Sequence, residues 1–155
     1  MTHKKITFGP EETIDFAISL AKKLNGGEVL ALTGDLGAGK TTFVKGLVEG
    51  LKISEVVTSP TFVMLKSYPA KIESKKIEFV HIDAYRAESL DDIKSVGIED
   101  FLGRNDVILA IEWAEKIKEI LPQNTIYINF KHLNENRREI STKIAPAKIV
   151  EKIQV

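Results

Sequence analysis

The sequence predicts one α/β domain over residues 1–155, with parallel core strands, flanking helices and antiparallel additions to the same mixed sheet. Short apolar runs alternate with helical patterns, which is typical of parallel strands joined by crossover helices. Two alternating segments near the C-terminus are typical of an antiparallel hairpin. The length of 155 residues fits a single domain with a sizeable core. We expect ligands of such a sheet at the carboxyl ends of its parallel strands.

The first half of the chain is predicted to form strand, helix, strand and helix. A short edge strand is expected at 5–8, and Pro10 at a first turn marks the start of a helix. Apolar residues at helical spacing predict the buried face of that helix, namely Ile14, Ala17, Ile18, Ala21 and Leu24. The run at 28–33 is typical of a buried strand. A second helix is expected from Gly39, with an apolar face of Phe43, Val44, Leu47, Val48 and Leu51.

The second half is predicted to add strands with short helices between them. Strands are expected at 62–68, 76–83, 106–112, 125–133 and 138–144. The polar segment 69–75 is interpreted as the loop between the first two. Ser89 and Asp92 form a capping-box pattern, so a helix is expected to begin near Leu90 and to end at Gly97. Another short helix is expected at 113–121, before a proline.

The strongest local pattern is GDLGAGKT at 34–41, which matches the phosphate-loop pattern G-x-x-x-x-G-K-[ST] between a predicted strand and a predicted helix. Glycines let successive backbone N–H groups face one concavity, and the helix that follows adds its positive end. Lys40 would reach the β- and γ-phosphates of a nucleotide, and the Thr41 hydroxyl would bind Mg²⁺. Thr42 would lie near the α-phosphate. The pattern therefore predicts a nucleotide phosphate site.

Two carboxylates are candidates to complete that site, because a phosphate loop needs a second anchor for its magnesium. Asp83 and Glu112 each end a predicted buried strand, and in a parallel sheet both would emerge at the edge where the phosphate loop opens. Spacing alone leaves open which of them binds Mg²⁺ directly and which acts through water. His81 is expected to pack in the core, whereas Trp113 fits both core packing and a place beside the nucleotide. The loop at 59–61 carries hydroxyls that could sense the γ-phosphate.

Composition excludes several classes of protein. The chain has no cysteine, which excludes disulfides, thiolate zinc sites, iron–sulfur clusters and cysteine nucleophiles. Its 22 basic and 22 acidic residues balance, which argues against direct binding of long nucleic acid. The sequence shows no secretory signal and no apolar run long enough to span a bilayer, so a soluble cytoplasmic domain is expected.

Two motifs that are absent from the sequence argue against particular classes of nucleotide-binding protein. An Asn-Lys-x-Asp string is absent, which argues against the usual guanine-specific GTPases. A small-molecule kinase commonly closes a lid with several arginines over the transferring phosphate. This chain has four arginines in all, and no segment resembles such a lid. A stand-alone small-molecule kinase is the alternative function, and the absent lid argues against it.

Five segments together resemble the TsaE (YjeE) family, the ATPase subunit of the bacterial machinery that makes threonylcarbamoyl-adenosine beside the anticodon of tRNA. In chain order they are GDLGAGKTT at 34–42, SPTF at 59–62, HIDAYR at 81–86, VGIEDFL at 96–102 and IEWAEK at 111–116. The phosphate loop alone is shared by many families, so the combination of all five is what makes the resemblance specific. It extends over residues 10–138.

The resemblance implies a single-domain P-loop ATPase that binds ATP and Mg²⁺ and associates with the two paralogous subunits of the transferase. It implies that Thr41 and Glu112 are the magnesium residues and that Asp83 is the Walker B-like acid. Thr13 and Arg138, with Arg137 as the neighbouring alternative, would lie near the nucleotide. The phosphate cradle would be formed by Gly37, Ala38, Gly39, Lys40, Thr41 and Thr42. Because few arginines are available to the γ-phosphate, we expect slow hydrolysis without partners.

Overall fold

The computed structural model describes residues 2–56 and 65–143. The strand predicted at 62–68 is therefore described only from Leu65 onward. The hydroxyl-bearing loop at 59–61 and the chain beyond residue 143 lie outside the described residues.

The described residues form seven strands and three α-helices. In chain order these are β1 Thr2–Phe8, α1 Pro10–Ala21, β2 Val29–Gly34, α2 Lys40–Gly50, β3 Leu65–Ile72, β4 Lys75–Asp83, α3 Leu90–Ser95, β5 Val107–Glu112, β6 Ile126–His132 and β7 Arg137–Lys143. Two 3₁₀ segments, Ile98–Asp100 and Ala114–Ile120, follow α3 and β5. At the start of α3, the Asp92 carboxylate accepts the Ser89 N–H at 3.3 Å, as the capping-box pattern predicts.

All seven strands belong to one mixed sheet with the order β1-β7-β6-β2-β5-β4-β3. The four central strands β6, β2, β5 and β4 are parallel. At the two sides of this core, β7 pairs antiparallel with β6, β1 antiparallel with β7, and β3 antiparallel with β4. This confirms the predicted α/β class with parallel core strands and antiparallel additions. Asp83 pairs with Glu112 in the register, and Glu112 pairs with Leu32, so β2, β4 and β5 end at one edge.

The core lies on both faces of the sheet. On one face α1 and α2 cover the sheet, where the Phe43 ring lies 5.9 Å from that of Phe16 and 5.3 Å from that of Phe130. On the other face α3 and the 3₁₀ segments cover an apolar surface that includes Val80, Ile82, Leu109 and Ile111. All of β5 is buried, as expected of a strand covered on both faces. The helix layers leave the carboxyl edge of the parallel strands accessible to ligands.

Three local predictions need correction. The buried face of α1 includes Phe16 and Leu20, while Ile14 and Ile18 are only half-buried, because Phe16 packs against α2. The segment 69–75 is not a loop: β3 continues to Ile72, and the edge position of β3 tolerates Pro69. The helix predicted at 113–121 is a 3₁₀ segment with a kink at Ile117. In the described ranges 2–56 and 65–143, no helix is long and apolar enough to cross a membrane.

Candidate nucleotide-binding site

The phosphate-loop pattern forms the connection between β2 and α2 at the carboxyl edge of the sheet. Gly39, directly before α2, has the left-handed backbone angle φ +106°. The N–H groups at a helix start have no partner within the helix, and the helix dipole is positive there. The Ala38 N–H donates to the Asp35 carbonyl at 3.2 Å, and the Ala38 side chain is buried. The loop thus places the start of α2, the kind of helix end that binds anions, at the carboxyl edge of the sheet.

Gly34 and Gly37 offer a matched test of how this loop is built. A Cβ on Gly34 would lie 2.1 Å from the Phe130 carbonyl oxygen at φ +125°, whereas one on Gly37 would meet nothing within 4 Å at φ +74°. We expect Gly34→Ala to lower the free energy of unfolding by about 3 kcal/mol or more, because strain and a backbone clash add. Gly37→Ala should cost about 1 kcal/mol, for strain alone. Urea denaturation of both variants measures the difference, and equal losses would contradict this loop geometry.

Lys40 lies folded back over the phosphate loop. Its Nζ donates to the carbonyl oxygens of Gly34 at 2.7 Å and Asp35 at 2.8 Å, and it lies 4.1 Å from the centroid of the Trp113 ring. Burial lowers the pKa of the Lys40 amine, and the carboxylates of Glu115 and Glu112 partly oppose that shift. The amine is thus already directed into the loop, where an anion would compensate its charge better than carbonyl oxygens do.

Thr41, Glu112 and His81 form a chain of hydrogen bonds that runs from the half-buried Thr41 into the core. The Thr41 hydroxyl donates to Glu112 Oε1 at 2.8 Å, and His81 Nε2 lies 2.7 Å from Glu112 Oε2. The side chains of His81 and Glu112 are 0% and 3% exposed. A carboxylate this deeply buried needs such partners, because an unpaired buried charge is costly. The chain connects the first turn of α2 to the ends of β5 and β4.

Asp83 is the second carboxylate at this edge. Its Oδ1 accepts the backbone N–H of Tyr85 at 3.0 Å. Burial raises the pKa of Asp83, and the Tyr85 N–H partly opposes the shift. Lys116 holds the segment that follows by donating to the backbone carbonyls of Tyr85 and Ala87. The Tyr85 and Trp113 rings lie 5.1 Å apart, and both line the same cleft as Asp83.

Two adjoining cavities flank the phosphate loop. One of about 300 Å³ is lined by Lys40, Thr41, Asp83, Glu112 and Trp113, together with two glycines of the loop. The other, of about 200 Å³, lies against the start of α1 and the β6–β7 turn, and its lining includes Thr13, Asn136 and Arg138. Gly37, Gly39 and Thr42 line both. Within residues 2–56 and 65–143, the structure therefore brings every predicted site residue except the buried Ala38 side chain to the walls of two adjoining cavities.

Thr13 and Arg138 reach the second cavity from different elements. The Thr13 hydroxyl lies 3.0 Å from that of Thr7, and both side chains are buried. Arg138 Nη1 donates to the carbonyl oxygen of Asn134 at 2.7 Å. Arg137 lies instead beside the Phe8 ring, 5.5 Å from its centroid. Arg138 is therefore the arginine of this pair that lines the cavity, whereas Arg137 does not.

Sequence reasoning missed the contact between His81 and Glu112. His81 is buried as predicted, but it also holds a carboxylate of the site. A usable signal was present: His81 and Asp83 are two residues apart on β4 and so point to the same face. Tyr85 was also missed, although it follows Asp83 closely enough to share its cleft.

The fold and the loop together define a P-loop domain of the α/β class. The chain belongs to the TsaE family: the family model described as threonylcarbamoyl adenosine biosynthesis protein TsaE matches residues 8–140. Curated relatives named tRNA threonylcarbamoyladenosine biosynthesis protein TsaE are similar over most of the chain. That of Bacillus subtilis is 42% identical, covering 87% of this chain and 81% of the relative. That of Treponema pallidum is 37% identical, covering 84% and 93%.

A solved structure is similar to this one over nearly its whole length. The crystal structure of YdiB from Bacillus subtilis superposes with a TM-score of 0.80 at 34% sequence identity. The match covers 98% of this chain and 91% of YdiB.

Proposed function

We propose that this chain is an ATP-binding and ATP-hydrolysing accessory subunit for threonylcarbamoyl-adenosine modification of tRNA, which acts on the two paralogous transferase subunits. The observation that carries the proposal is the convergence of Lys40, Thr41, Asp83 and Glu112 on one cavity at a phosphate loop. Membership of the TsaE family supplies the pathway. Its cytoplasmic location stays a prediction from the sequence.

The triphosphate would occupy the cavity beside Lys40. The Lys40 amine would exchange the carbonyl oxygens of Gly34 and Asp35 for phosphate oxygens, a stronger charge-assisted contact. The backbone N–H groups around Gly39 and the positive end of α2 would stabilise the same charge. The nucleoside would extend into the cavity beside Thr13 and Arg138, which adjoins the loop at Thr42. ATP binding at this place thus uses the phosphate loop together with Thr13 and Arg138.

The donor atoms at this edge fit Mg²⁺. Hydroxyl and carboxylate oxygens are its preferred protein ligands, and it usually takes one or two carboxylates together with substrate phosphates. Thr41, Asp83 and Glu112 offer that set. Within residues 2–56 and 65–143, no group of three or more His, Cys, Asp or Glu could hold a metal by itself, which favours an ion that arrives with the nucleotide. Bound Mg²⁺ would neutralise charge on the transferring phosphate.

The Thr41 hydroxyl donates a hydrogen bond to Glu112. The lone pairs of the hydroxyl oxygen therefore point away from that carboxylate and are available to a cation. Glu112 Oε1 and Oε2 each accept one hydrogen bond already, whereas Asp83 lines the cavity with a carboxylate that accepts the Tyr85 N–H. Both acids keep lone pairs for Mg²⁺ or its waters. We propose Thr41 and Glu112 as the magnesium residues, with Asp83 as the neighbouring acid.

Hydrolysis by the isolated chain is expected to be slow. An arginine on the γ-phosphate is often worth about 10³–10⁵ in rate. Arg86 follows Asp83 by three residues but does not line the cavity beside Lys40. Arg104 pairs with Asp106 at 2.9 Å, at the start of β5 and so at the opposite sheet edge. Arg137 lies beside Phe8, and Arg138 is bound to its own turn. We therefore propose that the transferase subunits complete the catalytic apparatus.

The test is phosphate release by the chain alone and with the two transferase subunits, at matched ATP and Mg²⁺. We expect a slow rate alone and an increase of at least about 10-fold in the complex, because an added charge on the γ-phosphate stabilises the transition state. Rapid release that partners do not change would contradict the accessory role. Transfer of phosphate to a small metabolite, rather than to water, would favour the kinase alternative.

A further inference from the structure

We propose that His81 is a positioning residue for the magnesium site, because it holds the Glu112 carboxylate in the orientation that aims the Thr41 hydroxyl. This inference rests on the proposed function, since it concerns the same magnesium site. His81 does not touch the cavity beside the phosphate loop; it acts through Glu112.

The hydrogen bond between the two side chains is short and buried. His81 Nε2 and Glu112 Oε2 are 2.7 Å apart, and the two side chains are 0% and 3% exposed. The second ring nitrogen of His81, Nδ1, is buried and has no hydrogen-bond partner among the described residues. A neutral ring that donates from Nε2 leaves only an acceptor unpaired at Nδ1. Among the described residues, the bond to Glu112 is therefore the one polar contact that the ring makes.

Sheet geometry explains why this contact fixes the orientation of the Glu112 carboxylate. Asp83 pairs with Glu112 across β4 and β5, and His81 pairs with Ala110, so the histidine lies one diagonal step inward from the glutamate. Ala110 leaves room for the ring because its side chain is small. Glu112 is held from the core side at Oε2, and its other oxygen, Oε1, receives the Thr41 hydroxyl at 2.8 Å. Rotation of the carboxylate would break both bonds.

Packing alone would not explain this residue. An apolar side chain of similar size would fill the space beside Phe79 and Ala110 without burying two ring nitrogens, one of them unpaired. The His81 ring instead supplies a partner for the second oxygen of a buried carboxylate. Loss of that donor would leave an anionic oxygen unpaired in the core, and the carboxylate would then turn toward the cavity. The Thr41 hydroxyl would lose its acceptor.

The main experiment compares His81→Leu, which removes the donor, with His81→Gln, whose amide N–H can replace Nε2–H. Binding of a fluorescent ATP analogue is titrated with Mg²⁺ and also measured in EDTA. We expect His81→Leu to raise the Mg²⁺ concentration for half-maximal effect by about 10-fold, the scale typical for partners of metal ligands, with little change in EDTA. His81→Gln should restore most of the loss. An unchanged Mg²⁺ dependence in a folded His81→Leu protein would overturn the proposal.

Phe79→Leu is the matched control, because Phe79 precedes His81 by two residues on the same face of β4 and is equally buried. It should lose packing stability without changing the Mg²⁺ dependence. If Phe79→Leu shifted the Mg²⁺ dependence as much as His81→Leu does, any loss of packing in β4 would have the same effect. That result would contradict a specific role for the His81 donor. Placing His81→Leu in a Glu112→Gln background should add no further shift, because the two side chains act as one unit; additive shifts would contradict it.

A measurement without nucleotide keeps the inference testable even where His81→Leu fails to fold. In the parent protein, the His81 Nε2–H proton should give a resonance protected from exchange with water, assigned by its loss in His81→Gln. Absence of a protected imidazole N–H would overturn the proposal. If the parent protein shows the protected proton but binds no nucleotide, the proposed function fails while the His81–Glu112 contact stands.

Discussion

Replacing Lys40 with alanine is expected to weaken ATP binding by about 100-fold, because the phosphates lose charge-assisted hydrogen bonds worth roughly 3 kcal/mol together. The fold should survive. Burial lowers the pKa of Lys40, so the folded protein holds this charged amine at a cost and loses little stability when it is removed. The measurement is a titration of a fluorescent ATP analogue against the parent and the variant, with circular dichroism of both.

The matched control for this prediction is Lys45→Ala, which removes an exposed lysine one turn further along α2. It should leave the affinity unchanged, because Lys45 does not line either cavity. Equal affinity of the parent and a folded Lys40→Ala protein would mean that the phosphate loop does not bind the nucleotide. Equal losses in both lysine variants would indicate a general effect of charge instead.

The second large effect is expected for Glu112→Gln, which keeps the shape of the side chain and removes its charge. The Mg²⁺ dependence of nucleotide binding should weaken by about 10- to 100-fold, because the site loses an anion and the partner of the Thr41 hydroxyl. A glutamine amide has only one oxygen, so it cannot accept hydrogen bonds from both Thr41 and His81 in the way that the two carboxylate oxygens do. One of its two orientations places an N–H group against His81 Nε2, and the chain of hydrogen bonds is disturbed. Binding in EDTA should change far less.

Glu119→Gln serves as the control for Glu112→Gln, because Glu119 is an exposed acid in the 3₁₀ segment that follows β5. Its Mg²⁺ dependence should match that of the parent. If Glu112→Gln also leaves the Mg²⁺ dependence unchanged, Glu112 is only a buried strand-end acid. Asp83 would then be the remaining candidate for the magnesium anchor.

Local patterns were sufficient to predict the strand, the loop and the helix of the phosphate site. The glycines, Lys40 and Thr41 lie within eight consecutive residues, and their chemistry depends on backbone geometry that those residues set among themselves. The strand ends at Asp83 and Glu112 were predictable for a similar reason, since buried apolar runs of β4 and β5 lead directly to them.

Features that depend on distant pairings were not predictable from local patterns. β6 lies beside β2 in the sheet although the two strands are far apart in sequence, and no local pattern encodes that pairing. The half-buried state of Ile14 on α1 depends on how that helix turns toward α2 to pack Phe16 on Phe43. The His81–Glu112 bond requires the register of β4 against β5. These contacts arise from tertiary packing, which overrides local preference.

A crystal structure of the chain with a non-hydrolysable ATP analogue and Mg²⁺ tests the central claim most directly. We expect the triphosphate in the loop at 34–41, with Lys40 Nζ moved from the Gly34 and Asp35 carbonyl oxygens to phosphate oxygens, and Mg²⁺ bound by the Thr41 hydroxyl beside Glu112. A nucleotide bound elsewhere on the molecule, or a loop in which Lys40 keeps both carbonyl contacts at saturating analogue, would contradict a phosphate site at this edge of the sheet.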